Sequence, residues 1–390
     1  MILYLLWFFT AVVICFYTLP LNKKEQTTLA TYYLVALGIF IGLADMLGGF
    51  DRYIYGELFD SMADVTSEGG NPWLSYSFIF YKSEFGYGTF SALMSFITSN
   101  RYFFIFTLTI IIYVLLIISL KEYSSNMPFS VILFLGLWMF FTFTYLRQVI
   151  GCTIGWLAIK YIIKRDLKLF LLVWFIGYSF HNSLLILLPM YFVPIRKFQP
   201  RTVFSLMIAA FILGLTSIPQ AIFEAYGEVD VNRVNAEDYA KDFGFRYAYL
   251  IEASFFLYII LTNYRKIPNR AKDVVLLNMA LVFCAILLVF IRSENGGRLG
   301  WIYMIGIICT ISSLSVDKRI ITKDGILIII ISLFLFIRIY ISWQSGIFLY
   351  PYKSFLTDGY RENDPIRAKY EYDINYDKDK FYRPALWFLK

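Results

Sequence analysis

The sequence predicts an all-α, polytopic integral membrane protein with about twelve spanning helices, and three observations carry that prediction. Of its 390 residues, 59% are hydrophobic and only 16% charged, against about 45–50% apolar and roughly 25% charged in soluble domains. The excess is dealt out as separate apolar runs of about 16–20 residues, each long enough to cross a bilayer as a helix that satisfies its own backbone groups. Lysine and arginine then fall in alternate loops, the asymmetry that marks the cytoplasmic side.

Taken in order, the predicted spans are 2–19, 29–44, 102–120, 128–146, 148–164, 168–180, 183–195, 202–218, 247–262, 273–291, 300–315 and 325–342. The first, MILYLLWFFTAVVICFYTLP, has neither a basic n-region nor a small-residue cleavage site and reads as a retained helix. A long segment, 45–101, follows the second span. The next six spans are joined by short turns, two of which carry Arg147–Gln148 and His181–Asn182. An acidic, Asn-bearing loop, 219–246, precedes the span at 247–262. The Gly-rich turn RSENGGRLG precedes the span at 300–315. Residues 1–342 thus form one membrane domain, and 343–390 form a polar tail.

Six loops are basic. They carry Lys23 and Lys24; Lys121; Lys164, Arg165 and Lys168; Arg196, Lys197 and Arg201; Arg265, Lys266, Arg270 and Lys272; and Lys318, Arg319 and Lys323. All six share one side if the spans number twelve, so both termini and the two long loops are expected on the non-cytoplasmic side. The net charge of +7 therefore reads as loop topology and not as nucleic-acid binding. The four cysteines lie in apolar runs without a CxxC or Cys/His cluster, as structural thiols do. No P-loop, no GxGxxG after a strand and no HExxH is present, which argues against an ATP-driven pump and a zinc protease.

The residues that could carry chemistry gather at the non-cytoplasmic side. Arg147, Arg292 and Arg298 stand at span ends, where a guanidinium needs an anionic partner. A diphosphate matches that fork bidentately; the bland reading is snorkelling to head groups or pairing with Glu84, Glu294 or Asp51. His181, the single histidine, is a candidate base, with a satisfied packing histidine as the alternative. Asp51, Arg52, Glu84 and Tyr87 lie in a Tyr- and Gly-rich loop suited to a saccharide, or simply to a solvated turn. With Gln148 and Asn182 they complete the saccharide candidates. The triplet Glu228-Val229-Asp230 is too isolated to argue a metal site, and neither a metal nor another cofactor is expected.

In order along the chain, GGFDRYIYG, SEFGYGTF, LRQVIGCTIGWLAIKYIIKR, FHNSLLILLPMYF, RSENGGRLGWIY and LYPYK resemble the EpsG family of bacterial polysaccharide polymerases, the Wzy-like proteins. The resemblance spans about residues 30–355 and is most specific from the RQ to the FHNS block. It departs at GGFDRY, where family members more often follow the Asp with Thr or Ser. It implies a GT-C-like, metal-independent membrane glycosyltransferase. Such an enzyme polymerises undecaprenyl-diphosphate-linked repeat units at the outer face of the bacterial inner membrane, often alongside a chain-length regulator. Arg147, Arg292 and Arg298 are then expected on the diphosphate, and His181, Glu84 and Arg147 at the reacting centre. An O-antigen-type ligase shares the donor. A lipid-linked oligosaccharide flippase would spread its charge to both faces.

Overall fold

The computed structural model describes residues 1–46, 50–222, 244–293, 296–342, 349, 352–354, 356 and 383–386. Glu294, the Glu228-Val229-Asp230 triplet with most of loop 219–246, and most of the tail lie outside the described residues.

The described chain is helical almost throughout: α1 (Ile2–Thr18), α2 (Lys23–Gly42), α3 (Phe50–Ser67), α4 (Tyr76–Phe80), α5 (Phe85–Ser95), α6 (Arg101–Tyr123), α7 (Met127–Leu137), α8 (Phe141–Thr144), α9 (Leu146–Lys164), α10 (Leu167–Phe180), α11 (Pro200–Leu215), α12 (Tyr247–Thr262), α13 (Ala271–Val289), α14 (Met304–Ser315) and α15 (Lys323–Ser342). Two long 3-10 stretches, Asn182–Phe192 and Gly296–Tyr303, interrupt the α-helical pattern. Five helical segments are long and apolar enough to cross a membrane: Arg101–Tyr123, Leu146–Lys164, Ala271–Val289, Gly296–Ser315 and Lys323–Ser342. Shorter apolar helices cover most of the other predicted spans, and α2 covers the span at 29–44. The protein is therefore a helical membrane protein.

Local sequence explains the element ends. Asn22 accepts from the Glu25 amide at 3.0 Å and Glu25 accepts from the Asn22 amide at 3.1 Å. This capping box starts α2 earlier than hydropathy alone indicates. The span expected at 128–146 is broken after Leu137. There the Thr142 hydroxyl donates to the Met139 carbonyl at 2.6 Å, a side-chain alternative to the helical amide bond. The span expected at 183–195 is wound as a 3-10 helix. Pro189 lies inside it, lacks an N–H and clashes with an α-helical carbonyl one turn back. The basic turn at Lys318–Arg319 closes a small antiparallel hairpin, Val316–Asp317 with Ile320–Ile321. Both turn residues have positive φ, 45° and 69°, as a two-residue hairpin turn requires.

All of α7 and nearly all of α14 are buried, so these two helices form the centre. Lipid-like exposure falls on α1, α11 and α15, whose outward Leu, Ile and Phe are exposed. The four cysteines are buried free thiols. The basic loops collect at one end of the bundle: Leu19, Asn126, Lys266, Arg270 and Lys318 line one cleft, Lys197 donates to the carbonyls of Tyr264 and Ile267, and Arg165 donates to those of Tyr191 and Val193. Segment 50–101 covers the other end, fastened by the fully buried ion pair of Arg101 with Asp60. The described parts of the tail also lie there. The Tyr4 hydroxyl donates to the Leu349 carbonyl at 2.7 Å, and the Tyr352 ring stacks on Phe40 at 4.2 Å. Arg383 pairs with Asp64 at 2.5 Å.

Candidate active site

Two close approaches build the site. Gly151 of α9 faces Gly177 and His181 at the end of α10; a Cβ at Gly151 would stand 3.1 Å from that of His181. Gly86, in the first turn of α5, lies so close to Ser179 that a Cβ there would overlap its hydroxyl. With no side chain at either glycine, α9, α10 and the short 3-10 turn Lys82–Glu84 meet at one point.

At that point Arg147 donates to Glu84 Oε2 at 2.5 Å. The Asn182 amide donates to Glu84 Oε1 at 3.2 Å, and His181 Nε2 lies 3.8 Å from the same oxygen. Glu84 is only 5% exposed. Burial alone would raise its carboxyl pKa, but His181, Arg147 and the Asn182 amide together pull it below the ordinary 4.5. Glu84 is therefore an anion at neutral pH. Arg147 lies between two aromatic faces, 5.3 Å from the Tyr55 ring centre and 5.1 Å from that of Tyr81, an arrangement that favours a desolvated guanidinium. Tyr87 is buried behind both rings, 4.8 Å from Tyr81 and 5.9 Å from Tyr55.

His181 ends α10 and caps the 3-10 stretch that follows. The Ser183 amide donates to its Nδ1 at 3.2 Å, and the Ser183 hydroxyl lies 2.7 Å from the same nitrogen. A ring nitrogen that accepts an amide hydrogen carries none itself, so the neutral imidazole has its hydrogen on Nε2, toward Glu84. Ser183 and His181 thus form a hydrogen-bonded pair, with Glu84 Oε1 3.8 Å from the far ring nitrogen, where it can stabilise an imidazolium.

A second group adjoins the first. Arg298, in the Gly296–Tyr303 stretch, donates to the Tyr145 hydroxyl at 3.0 Å and lies over that ring at 4.3 Å. Gln148 donates to the Arg298 carbonyl at 3.0 Å, which ties the two groups together. Asp51 opens α3, its amide donating to the Thr144 hydroxyl at 2.9 Å. Burial raises its carboxyl pKa, opposed by Arg298 and Arg147. Arg298 and Tyr145 also form part of the wall of a cavity of about 510 Å³ that contains Arg246, Glu252 and Arg338 among apolar side chains.

The fold therefore brings together Glu84, Arg147, Gln148, His181, Asn182, Asp51, Tyr87 and Arg298. It does not bring in Arg292 or Arg52. Arg292 donates to the Leu215 carbonyl at the end of α11, at 3.1 Å. Arg52 is fully buried and donates to the carbonyls of Gly42 and Ala44 at 3.0 and 2.8 Å; it secures the turn into α3 and does not face a saccharide. Sequence reasoning passed over Ser183, Tyr55, Tyr81, Tyr145, Arg246 and Glu252. Ser183 was legible in the FHNS block and Glu252 as a carboxylate inside an apolar run; the tyrosines carried no signal in a chain with 31 of them. Among the described residues no group of three His, Cys, Asp or Glu side chains gathers as a metal site would.

No curated protein and no solved structure matches the chain. Residues 29–354 match the EpsG family. That match runs from α2 through the whole site to the Tyr352 segment, and the chain belongs to the EpsG family.

Proposed function

We propose that this protein is a polysaccharide polymerase that joins undecaprenyl-diphosphate-linked oligosaccharide units at the outer face of the bacterial inner membrane. The growing chain is transferred from its carrier onto a new lipid-linked unit. Membership of the EpsG family supports the class. The observation that carries the reaction is the Ser183–His181–Glu84–Arg147 group, built around the buried Glu84 carboxylate beside Arg298, at the end of the bundle away from all six basic loops. On the positive-inside argument that end is periplasmic. Twelve spans, a GT-C-like architecture and two non-cytoplasmic termini belong to the same reading.

The acceptor hydroxyl oxygen forms a bond to the anomeric carbon of the donor sugar. The bond from that carbon to the diphosphate oxygen breaks, and its electron pair leaves with the diphosphate. Arg298 and Arg147 stand where this charge grows, and fixed cations at such a point lower the barrier. The acceptor proton moves to Ser183 Oγ as Ser183 gives its own hydrogen to His181 Nδ1, and it is later returned to water. The imidazolium so formed is stabilised by Glu84 Oε1. Glu84 itself is a poor base here, because its pKa is lowered and Arg147 and the Asn182 amide occupy its oxygens. Asp51 and the tyrosines are placed to meet sugar hydroxyls and ring faces. The transfer needs no metal.

The test is a gel assay of purified protein in detergent with the lipid-linked repeat unit of its own host. A ladder of products that disappears in His181→Gln supports the reading. Folded protein that leaves the authentic unit unextended overturns it.

A further inference from the structure

At the end of the bundle away from the basic loops, α4 and α5 are folded inside out. In α5, Tyr87, Ser91 and Ser95 are buried, while Phe85, Leu93 and the capping Phe96 are exposed. The exposed positions recur at helical spacing and form one stripe. In α4 and its cap, Ser75 and Ser77 are buried, while Tyr76, Ile79 and Phe80 are exposed. The inward serines are bonded to the protein: Ser77 donates to the Leu58 carbonyl of α3, and the Ser95 hydroxyl lies 2.7 Å from that of Thr66. A helix on an aqueous surface has the opposite arrangement, apolar stripe inward and polar face outward. Between Pro72 and Asn100 the charged residues are Lys82 and Glu84 alone, so nothing in the segment dilutes the exposed apolar surface. Contiguous surface of this kind marks contact with lipid or another protein. The stripe also continues into α10. The Phe85 ring lies 5.9 Å from that of Phe175, and Leu172, Phe175 and Ile176 are exposed on the outward face of that apolar helix.

We propose that α4 and α5 form an interfacial arm seated in the lipid leaflet at this end of the bundle, its stripe of Tyr76, Ile79, Phe80, Phe85, Leu93 and Phe96 turned to the acyl chains. The arm does not cross the membrane. The 11 residues of α5 span about 16 Å, half of the roughly 30 Å of a hydrocarbon core. Lipid is the occupant because the stripe is continuous with the lipid-facing side of α10 and carries the aromatic residues of a membrane boundary. Trp73 belongs to the same group, its ring 5.6 Å from that of Phe96. Lys82, exposed between the two helices, has the length to carry its ammonium up to the head groups while its stem lies along the apolar surface. Glu84 sits in the turn that joins α4 to α5, so the leaflet fixes the height of that carboxylate above the membrane. The assignment requires only that α10 faces lipid and does not rest on the polymerase reading.

The four native thiols are buried, so a fluorophore on one introduced cysteine reports one position. The experiment places a bimane probe on Ile79→Cys, Leu93→Cys or Glu68→Cys in the full-length protein, held in nanodiscs of phosphatidylethanolamine and phosphatidylglycerol. Quenching by nitroxide-labelled lipid is compared with quenching by aqueous iodide. The probes at positions 79 and 93 are expected to be quenched several-fold more by the lipid, and the probe at the exposed end of α3, position 68, more by iodide. Iodide quenching as strong at 79 and 93 as at 68 overturns the proposal. Shielding from both quenchers also overturns it and makes another protein surface, a second copy included, the occupant. Leu93→Glu gives a second measurement without a label and with helix propensity kept. A charge facing lipid is costly, so its melting temperature in nanodiscs is expected to fall by several degrees; a melting temperature equal to wild type overturns the arm. Neither readout depends on laddering, so failure of the polymerase reading leaves both intact.

Discussion

Arg147 and Glu84, 63 residues apart in sequence, form a largely buried ion pair at 2.5 Å whose guanidinium lies between the rings of Tyr55 and Tyr81. Removing one partner of such a pair leaves the other charge buried and alone, at a cost of about 3–5 kcal/mol. Glu84→Gln and Arg147→Gln are each expected to lower the melting temperature and abolish laddering. The double replacement Glu84→Gln with Arg147→Met is expected to recover much of the stability and none of the activity. Recovery of both would make the pair purely structural.

The pair also sets a pH dependence. The pKa of Glu84 is lower in the folded chain than its ordinary 4.5, so its contribution is fully present above that value and is lost as pH falls through the lower, folded value. The difference in melting temperature between wild type and Glu84→Gln should be constant from neutral pH down to about pH 5–6 and shrink in stronger acid. A difference that changes between pH 6 and 8 would assign the effect to another group.

Ser183 and His181 act in sequence on one proton. Ser183→Ala is expected to slow laddering by roughly 10²-fold, within the range typical of a lost proton-transfer group, with unchanged stability. In His181→Gln any residual rate should lose its acid limb, while Ser183→Ala should keep it. Rates measured across pH 5–9 decide this.

Arg298 and Arg292 look alike in sequence and are separated by the fold. Arg298→Gln removes a cation next to the leaving group and is expected to cost about 10²–10³-fold in rate. Arg292→Gln loses a bond to the Leu215 carbonyl and is expected to retain near wild-type laddering. Equal losses in both would mean that the three arginines act as one cluster.

Gly86→Ala tests the close approach that carries Glu84 to His181. Its methyl would collide with Ser179, and overpacking of this kind costs about 1–3 kcal/mol. The prediction is a modest loss of stability with a larger loss of laddering, partly restored by adding Ser179→Gly.

Hydropathy and loop charge determined much of this protein. Apolar runs long enough for a bilayer, broken by basic turns at alternate ends, leave a helical bundle with one basic end as the economical arrangement, because lipid offers the backbone no other hydrogen-bond partners. The RQ and FHNS blocks, legible as motifs, supplied Arg147, Gln148, His181 and Asn182, and their place at span ends put them on one side. Only the tertiary structure decided which charges meet. Arg52 and Asp51 are neighbours in sequence, yet one secures a backbone turn and the other faces Arg147 and Arg298. Glu252 and Arg338, 86 residues apart by their numbers, line one cavity. Hydropathy records how far each residue prefers lipid to water and is blind to pairing between distant helices. That pairing is set by contacts such as Gly86 against Ser179 and Gly151 against His181, where the absence of a side chain lets two backbones close and carries the ionised groups together.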